Sequence, residues 1–415
     1  MPMSDMIMSQ KTKPNLNILH VTIGFYPADT WGGPVKIVHQ NATEMIRRGH
    51  SVTVYCSNLL NKNEKIRPQE GTFVEDIDGI RVVYFNTWNL KQWPGTLGPM
   101  WWPDLKSRLR RDLPTYDIVH INGFRNLIPL AVARASQSQA SVRYVIQPHG
   151  AIPIIVNSGT AKQMFDKVLD VKPLQTADAI IAGQPSERAQ AVAFGIDNER
   201  IVEIPNGLIP PAANTLPERG SFRAQYGLPS DAPMILFLGR LNRKKGVDML
   251  IEAYAKMVNK TPALVIAGPD DGQMDEVKAL VQKHQLGDRV LFTGLLQGND
   301  IWSAYRDADL FVLPCRTDTF PMAIIESCAM GTPILTTDNC EIAHIVRGAA
   351  GETTPFDADE FANKMDALMD DPERLKKYSV SAQRMIQNEF SMQAVGDQLE
   401  SLYLDLRDGP VRHAA

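Results

Sequence analysis

Short apolar runs rich in β-branched residues alternate with amphipathic helical stretches along almost the whole chain, and this series occurs twice. The alternation is typical of βαβ units, which build a largely parallel sheet with helices on its faces, so the chain predicts an α/β fold. The first series predicts strands at residues 16–21, 51–55, 81–85, 117–121, 144–147, 179–182 and 201–204. The second series predicts strands at residues 234–238, 263–267, 290–293, 310–313 and 333–336, with helices at 247–257, 274–284 and 300–307.

The two series are separated by a stretch rich in Pro and Gly, residues 205–220, which is typical of a hinge. A chain of 415 residues is long enough for two domains of ordinary size. We therefore predict two Rossmann-like, doubly wound parallel-sheet domains that face each other across a cleft. The expected segments are a flexible tail at 1–14, a first domain at 15–208, a second domain at 209–390, and a terminal helix at 391–415 that packs back on the first domain.

Charge and residue usage exclude several classes of protein. The formal net charge is −4, so there is no broad cationic field and we expect no nucleic-acid partner. No apolar run approaches the ~18–20 residues that span a bilayer, and the first residues lack the continuous apolar stretch of a secretory signal. The four cysteines are scattered without the spacing of a zinc site, and we expect them to be reduced thiols. These features predict a cytoplasmic protein.

A pair of glycines follows the first predicted strand, in the sequence Trp31-Gly32-Gly33-Pro34. In open parallel sheets ligands bind outside the carboxyl ends of the strands, and this segment leads directly into a helix. Gly32 and Gly33 would let backbone N–H groups approach an anion at the helix N-terminus. The alternative interpretation is a tight turn that binds no ligand.

Cations follow the first strand of the second series. Gly239-Arg240-Leu241 ends that strand, and Lys244-Lys245-Gly246 comes just before the next helix. The planar guanidinium of Arg240, the ammonium of Lys245 and the helix N-terminus would together neutralise a diphosphate as its charge develops. The alternative is that these cations are solvated in an exposed loop.

A third cluster contains Asp318-Thr319-Phe320-Pro321, then Glu326, then Gly331. Pro321 is expected to open a helix and Gly331 to close it. Asp318 and Glu326 would then face the same crevice, where a carboxylate can accept hydrogen bonds from both hydroxyls of a ribose. Glu326 alone would equally suit a paired carboxylate near the start of a helix. In the first series His149, followed by Gly150, ends a strand, and either a structural or a polar binding role fits it.

In this order the motifs resemble family 4 of the retaining glycosyltransferases, two-domain enzymes of the GT-B architecture. Segments that carry the resemblance lie along almost the whole chain: Gly32-Gly33, His149-Gly150, Pro205-Asn206-Gly207, Gly239-Arg240-Leu241, Lys245-Gly246, Asp318-Thr319-Phe320-Pro321, Glu326 and Gly331-Thr332-Pro333. The resemblance implies transfer of a hexose from a UDP- or GDP-linked sugar to a hydroxyl of a saccharide or lipid-linked acceptor, in polysaccharide or glycolipid biosynthesis.

The resemblance also implies a role for each site residue. Arg240 and Lys245 would bind the diphosphate, Glu326 the ribose hydroxyls, and His149 the donor sugar or its phosphate. Backbone N–H groups would complete the anion site, and they belong to Gly32, Gly33, Thr319, Phe320 and the residues next to Pro321. Asp318 stands where the family has a glutamate, so contacts to the sugar through this position are open. Such enzymes retain the anomeric configuration by front-face attack, without a protein nucleophile, a metal or another cofactor.

The spacing Asp76-Ile77-Asp78 matches the Asp-x-Asp motif of metal-dependent transferases. We interpret Asp78-Gly79 instead as the turn of a hairpin before the strand at 81–85, because this dipeptide favours such turns. A hard cation would also need further oxygen ligands that the sequence does not supply nearby.

The segment 88–111 combines aromatic and basic residues: Trp88, Lys91, Trp93, Trp101, Trp102, Lys106, Arg108, Arg110 and Arg111. Aromatic side chains beside cations suit a bilayer interface, so this segment is a candidate for peripheral contact with the inner face of a membrane. The alternative is that the tryptophans pack inside the first domain.

Two other functions fit the same two-domain plan. A non-hydrolysing nucleotide-sugar epimerase would convert the nucleotide sugar without releasing free nucleoside diphosphate. A non-catalytic nucleotide-sugar-binding protein would bind the donor without turnover, and the aspartate at 318 is the sequence feature that favours it.

Overall fold

The computed structural model describes residues 15–28, 31, 33–61, 64–89, 100–124, 127–152 and 171–410. Within these residues the chain forms two compact units. The first comprises Met1–Ile181, Ala191–Val202 and Glu400–Ala415, and the second comprises Ala182–Gln190 and Glu203–Leu399. The predicted tail at 1–14 lies outside the described residues.

The first sheet has eight strands in the order β10-β9-β8-β7-β1-β2-β4-β3. Its strands are β1 (Asn17–Val21), β2 (Ser51–Ser57), β3 (Phe73–Ile77), β4 (Ile80–Phe85), β7 (Ile118–Asn122), β8 (Arg143–Gln147), β9 (Ala179–Ala182) and β10 (Ile201–Glu203), and a separate two-stranded sheet is formed by β5 (Trp88–Asn89) and β6 (Met100–Trp101). The helices that accompany them are α1 (Gly33–Arg47), α2 (Leu105–Asp112), α3 (Leu127–Gln137), α4 (Lys172–Gln175) and α5 (Pro185–Ala193).

The second sheet has six strands in the order β13-β12-β11-β14-β15-β16, and all its paired strands are parallel. They are β11 (Met234–Leu238), β12 (Ala263–Ala267), β13 (Val290–Gly294), β14 (Leu310–Leu313), β15 (Ile334–Thr337) and β16 (Gly351–Thr354). The helices are α6 (Ser221–Tyr226), α7 (Val247–Lys256), α8 (Met274–Lys283), α9 (Asn299–Asp307), α10 (Met322–Met330), α11 (Ala343–Val346), α12 (Ala358–Met369), α13 (Pro372–Met385) and α14 (Met392–Asp408).

The central strands are continuous apolar runs because helices cover both faces of each sheet. Along β14 all four residues are buried, and along β8 all five are. Burial on both faces removes the alternation of polar and apolar residues that a half-exposed strand shows. The predicted α/β fold with two parallel-sheet domains is confirmed, and the predicted bounds of β9, β11, β12 and β14 agree with the structure.

The sequence did not predict two edge strands. β3 is antiparallel to β4, and its exposed residues are Val74 and Asp76, which lie on the same face. β16 has the sequence GETT, without a large apolar residue, and pairs with β15 because Gly351 lies directly against it. A Cβ added to Gly351 would stand 1.8 Å from the carbonyl oxygen of Ile334, so only glycine allows this approach.

The last helix, α14, belongs to the second unit up to Leu399 and to the first unit from Glu400 onward. In the first unit the Glu400 carboxylate accepts hydrogen bonds from Arg48 Nη1 at 2.9 Å and His50 Nε2 at 3.2 Å. Farther along the helix, Arg143 Nε donates to the carbonyl oxygen of Leu406 at 3.0 Å. These bonds fix the last part of α14 to other residues of the first unit.

Candidate active site

The loops that follow β11 and β14 leave the second sheet at its topological switch point. These strands are neighbours, and the order of the strands runs outward in opposite directions from them. Loops at such a point diverge and leave a crevice at the carboxyl edge, which is where ligands of open α/β sheets bind. The loop 239–246 follows β11, and the loop 314–321 follows β14.

A glycine brings the two loops into contact. Gly246 precedes α7 with φ +69°, and a Cβ at this position would stand 2.0 Å from the carbonyl oxygen of Pro314. Beside it, the backbone N–H of Arg316 donates to the carbonyl oxygen of Lys244 at 2.7 Å. Any side chain at Gly246 would push the loops apart, so this residue sets the position of the neighbouring Lys245.

The ammonium of Lys245 forms an ion pair with the carboxylate of Asp318. About one fifth of each side chain is exposed, 19% for Lys245 and 20% for Asp318, so the pair is open to a ligand from one side. The structure therefore brings together two of the residues that the sequence predicted for the site. Because a partly buried ion pair loses hydration on both partners, an incoming anion can compete with Asp318 for the ammonium.

Arg240 has a different partner. Its guanidinium is 60% exposed, and Nη1 donates to Asp271 Oδ2 at 3.2 Å. Asn242 Nδ2 donates to the same oxygen at 2.9 Å. Sequence analysis did not single out Asp271, although Asp271 follows β12 at the same carboxyl edge and the rule that located the other motifs applies to it equally.

The helix after Asp318 begins one residue later than the sequence predicted. Pro321 is extended, with φ −69° and ψ 106°, and α10 begins at Met322 because Pro321 serves as the residue before the helix. Pro321 offers no side-chain hydrogen bond to the first backbone N–H groups, which leaves the N-terminus of α10 without a side-chain cap. Thr319 and Phe320 are partly buried in the loop that leads to it. Gly331 ends the helix with φ 76°, as predicted.

Glu326 lies in the middle of α10 and is 7% exposed. Its Oε2 accepts a hydrogen bond from the hydroxyl of Tyr305 at 3.1 Å. Burial and the neighbouring carboxylate raise the pKa of Tyr305 well above its usual value, so this hydroxyl stays protonated and donates. Tyr305 was not predicted as a site residue, and its sequence position in α9 carries no motif that would identify it.

In the first unit, Gly33 is the first residue of α1 and is exposed, with open space where a Cβ would be. Gly32 lies outside the described residues. The adjacent Trp31 is held by its indole Nε1, which donates to the carbonyl oxygen of Leu59 at 3.1 Å. Its ring lies against Gly24, where a Cβ would stand 2.3 Å from the indole. Trp31, which lies shortly before α1, is therefore held by contacts with Leu59 and Gly24.

His149 occupies a tight turn after β8. The turn is closed by a hydrogen bond of 3.1 Å from Ala151 N to Pro148 O, and both central residues have positive φ, 51° for His149 and 74° for Gly150. Positive φ is uncommon for a residue with a side chain and is concentrated at functional sites. His149 Nε2 lies 3.0 Å from Asn122 Oδ1, and burial lowers the pKa of His149 to about 4.

The aspartates of the Asp-x-Asp spacing belong to a hairpin, as predicted. Asp78 and Gly79 connect β3 and β4 with φ 54° and 81°. Asp76 Oδ1 accepts from Gly79 N at 2.9 Å, and Asp78 Oδ2 lies 3.0 Å from His39 Nε2. Across the part of the chain that the structure describes, no three His, Cys, Asp or Glu residues are grouped as metal ligands would be.

The tryptophans of the segment 88–111 divide into two groups. Trp102 is fully buried and stacks on Phe85 with ring centroids 4.8 Å apart. Trp88 and Trp101 face each other across β5 and β6 and are 65% and 49% exposed. Lys91 and Trp93 lie outside the described residues. The expectation that the tryptophans pack inside thus holds for Trp102 and is wrong for the cross-strand pair.

Within the described ranges, no helix has the length and apolar character needed to cross a bilayer.

Two family models match this chain. The model described as glycosyl transferase 4-like domain matches residues 32–207, and the model described as glycosyl transferases group 1 matches residues 218–385. The second match contains Arg240, Lys245, Asp318 and Glu326, and the first contains Gly33 and His149.

Individual relatives are distant. The chain is 31% identical over 198 residues to an alpha-D-kanosaminyltransferase of Streptomyces kanamyceticus, a match that spans 47% of this chain and 51% of the relative. It is 24% identical over 389 residues to a D-inositol 3-phosphate glycosyltransferase of Nocardia farcinica, with 85% of this chain and 80% of the relative covered. Among solved structures, HepE of Anabaena in complex with UDP and glucose superposes with a TM-score of 0.72 at 20% identity, over 94% of this chain and 100% of HepE. The chain belongs to family 4 of the glycosyltransferases and has their GT-B architecture.

Proposed function

We propose that this glycosyltransferase transfers a hexose from a UDP- or GDP-linked donor to a hydroxyl of a saccharide or lipid-linked saccharide, with retention of the anomeric configuration. The observation that supports donor binding most directly is the convergence of Lys245, Asp318 and the uncapped N-terminus of α10 at the switch point of the second sheet. A cation beside a helix N-terminus is a site for a diphosphate. Relatives point the same way, since HepE was solved with UDP and glucose.

In the proposed reaction the bond between the anomeric carbon and the β-phosphate oxygen breaks, and both electrons leave with the nucleoside diphosphate. The acceptor oxygen forms the new bond on the same face of the sugar, and its proton passes to the departing phosphate oxygen. No protein nucleophile takes part. Lys245 and the dipole of α10 meet the negative charge as it develops, which is the kind of stabilisation that contributes several kcal/mol to catalysis.

Arg240 would join this site by exchanging Asp271 for the diphosphate. Its guanidinium is mostly exposed and held by a single 3.2 Å hydrogen bond, and exposed ion pairs of this kind contribute little stability. The exchange therefore costs little. Glu326 would accept hydrogen bonds from the ribose hydroxyls. Backbone N–H groups around Phe320 would bind further phosphate oxygens.

We also propose that the reaction needs no metal, because cationic side chains and the helix N-terminus provide the charge that a divalent ion provides elsewhere. An assay of nucleoside diphosphate release tests both the donor class and the independence from metal. Purified protein is incubated with UDP- and GDP-linked hexoses, with and without EDTA and with added Mg²⁺ or Mn²⁺, and free nucleoside diphosphate is measured. We expect release with one donor class that EDTA leaves unchanged. Loss of release in EDTA that a metal restores would contradict the metal-free scheme.

The same assay separates the alternative functions. An epimerase would change the sugar of the donor without releasing nucleoside diphosphate, and a binding protein would give a calorimetric signal without turnover of any donor. Proton NMR of the anomeric centre in the transferred product tests retention, because inversion would change the coupling constant of that proton.

We further propose that the protein works at an anionic membrane surface through Trp88, Trp101 and the exposed cations Lys106 and Arg110. Trp101, which pairs with Trp88 across β5 and β6, lies shortly before α2, and Lys106 and Arg110 lie one turn apart on that helix. Aromatic rings that are exposed next to cations match the interfacial region of a bilayer with anionic lipids.

Co-sedimentation with vesicles tests this proposal. The protein should sediment with vesicles that contain phosphatidylglycerol at low salt and stay in solution with pure phosphatidylcholine. Replacement of both Trp88 and Trp101 by Ala, or of Lys106 and Arg110 by Glu, should abolish sedimentation. The matched control carries the same charge reversal at Lys376 and Lys377, two exposed residues of α13 in the second unit. Equal binding by the charge-reversal variant and its control, or no binding by the unmodified protein, would contradict the proposal.

A further inference from the structure

Asn122 ends β7 and lies opposite Gln147, the last residue of β8, in the first sheet. It is 4% exposed, and its carboxamide contacts three groups. Oδ1 lies 3.0 Å from His149 Nε2, and Nδ2 lies 3.3 Å from the carbonyl oxygen of His120 and 3.3 Å from His20 Nδ1. This side chain thus connects the predicted site residue His149 with two fully buried histidines on β7 and β1.

These contacts determine which way the amide faces. A carbonyl oxygen can only accept a hydrogen bond, so the group of Asn122 that faces His120 O must be the NH₂ donor. The amide oxygen then faces His149, and because that oxygen also only accepts, His149 Nε2 must carry the proton. The second amide proton is directed to His20 Nδ1, which is therefore an acceptor.

Other contacts hold the two inner histidines in place. The rings of His20 and His120 lie side by side with centroids 4.7 Å apart. His120 Nδ1 lies 2.6 Å from the hydroxyl of Tyr403, a fully buried residue of α14. The two groups that orient the Asn122 amide thus belong to strands: the His20 ring to β1 and the carbonyl oxygen of His120 to β7.

We propose that Asn122 is a positioning residue that holds His149 uncharged, with the proton on Nε2 and the lone pair of Nδ1 available to a ligand. The proposal rests on the proposed function, together with the donor contact that the resemblance implies for His149. Among the described residues nothing hydrogen-bonds Nδ1, and His149 is only partly buried. An accepting nitrogen pairs with a hydroxyl and not with an ionised phosphate oxygen.

The backbone supports the same arrangement. His149 needs φ of 51° to turn its ring back over the end of β7, and this conformation is unfavourable without compensation. Among the described residues, the hydrogen bond from His149 Nε2 to Asn122 is the contact that can compensate for this conformation. Burial lowers the pKa of His149 to about 4, which agrees with an uncharged ring near neutral pH.

Nitrogen NMR of the full chain labelled with ¹⁵N-histidine tests the inference without any substrate. The His149 signals are assigned as those missing from the variant His149→Gln. At pH 7.5 we expect the shifts of a ring protonated on Nε2 alone. A ring protonated on Nδ1 alone, or on both nitrogens, would overturn the inference, and this measurement needs no variant at Asn122.

Two variants then test the role of the amide. Asn122→Asp places a carboxylate beside the ring, so we expect His149 to show the signature of a doubly protonated imidazolium at pH 7.5. Asn122→Ala removes the orienting bond, and kcat/KM for the donor should fall about tenfold, the effect of a hydrogen bond of ordinary strength. The control is Asn58→Ala, which removes another buried amide of the first unit whose Oδ1 accepts from Thr87 N at 3.0 Å. This control should keep the His149 spectrum and the kcat/KM of the unmodified protein.

Failure of the inference can be told apart from failure of the proposed function. If the protein turns over no nucleotide sugar, the proposed function is wrong whatever the spectrum shows. If turnover is found and kcat/KM of Asn122→Ala equals that of Asn58→Ala, then Asn122 does not position His149 and the inference alone is wrong.

Discussion

The ammonium of Lys245 and the carboxylate of Asp318 form an ion pair although 73 residues separate them in the sequence. Both lie in loops at the carboxyl edge of the second sheet, one after β11 and the other after β14. Asp318 replaces the glutamate of the family pattern, and in this structure its short side chain is directed to the lysine. If Lys245 binds the diphosphate as proposed, donor binding has to change the environment of Asp318.

We predict that Lys245→Ala lowers turnover of the donor by ~100-fold or more, because it removes one group that stabilises charge in the transition state. Nucleoside diphosphate release under saturating donor measures the effect. The matched control is Lys244→Ala, which removes an exposed lysine from the neighbouring position and should stay within about twofold of the unmodified protein. Equal losses in both variants would mean that charge in the loop matters and the position of Lys245 does not.

Arg240→Ala should cost a similar factor of ~100 in turnover if the guanidinium leaves Asp271 for the diphosphate. Arg243→Ala is the control, since Arg243 is an exposed arginine of the same loop. The variant Asp271→Asn separates the two states of Arg240. It weakens the resting ion pair without removing the cation, so donor KM should fall or stay constant while kcat is kept. A loss of kcat in Asp271→Asn as large as that in Arg240→Ala would indicate that Asp271 itself takes part in the reaction.

Gly246→Ala should destabilise the second unit by about 1–3 kcal/mol, because the residue would be held at φ +69° with its Cβ against the carbonyl oxygen of Pro314. Chemical denaturation measures the free energy of unfolding. Gly287→Ala provides the comparison within the same unit, where a Cβ has no heavy atom within 4 Å and φ is not positive. If both variants unfold at the same denaturant concentration, the close approach at Gly246 does not constrain the loop.

The main features of the fold and the location of the site follow from sequence because their signals are local. Strands such as β11 and β14 are continuous apolar runs, and the motifs at Arg240, Lys245 and Asp318 follow such strands directly. Apolar periodicity and loop position are properties of neighbouring residues, so they can be recognised before any contact is known.

The partners of the site residues could not be predicted in this way. Asp271 meets Arg240 across 31 residues, Tyr305 meets Glu326 across 21, and Asn122 meets His149 across 27. Each pair depends on the order of the strands and on side-chain direction, and Asp271, Tyr305 and Asn122 belong to none of the motifs that the sequence analysis recognised. The strand β16 was missed for a related reason, since its pairing depends on the absence of a side chain at Gly351 and not on apolar residues.

Buried histidines predict how stability depends on pH. Burial lowers the pKa of His20 from 6.5 to about 3 and that of His149 to about 4, and it also holds the pKa of His120 well below 6.5. In the unfolded chain these rings take up protons as the pH falls through 6.5, whereas the folded protein excludes the protons until the pH approaches 3 to 4. The free energy of unfolding should therefore be constant with respect to these groups above pH 6.5 and decrease as the pH falls below it.

At pH 5 the loss amounts to roughly 2 kcal/mol for His20 and a similar amount for His149, from the ~1.5 pH units below 6.5. The variant His20→Gln removes one of these groups, so its free energy of unfolding should fall less between pH 7.5 and pH 5 than that of the unmodified protein. Ile18→Val is the control, because it removes a buried methylene from the same strand β1 without changing any titrating group. Its stability should be lower at every pH and run parallel to that of the unmodified protein. Parallel curves for His20→Gln as well would contradict an uncharged, protein-enclosed histidine at position 20.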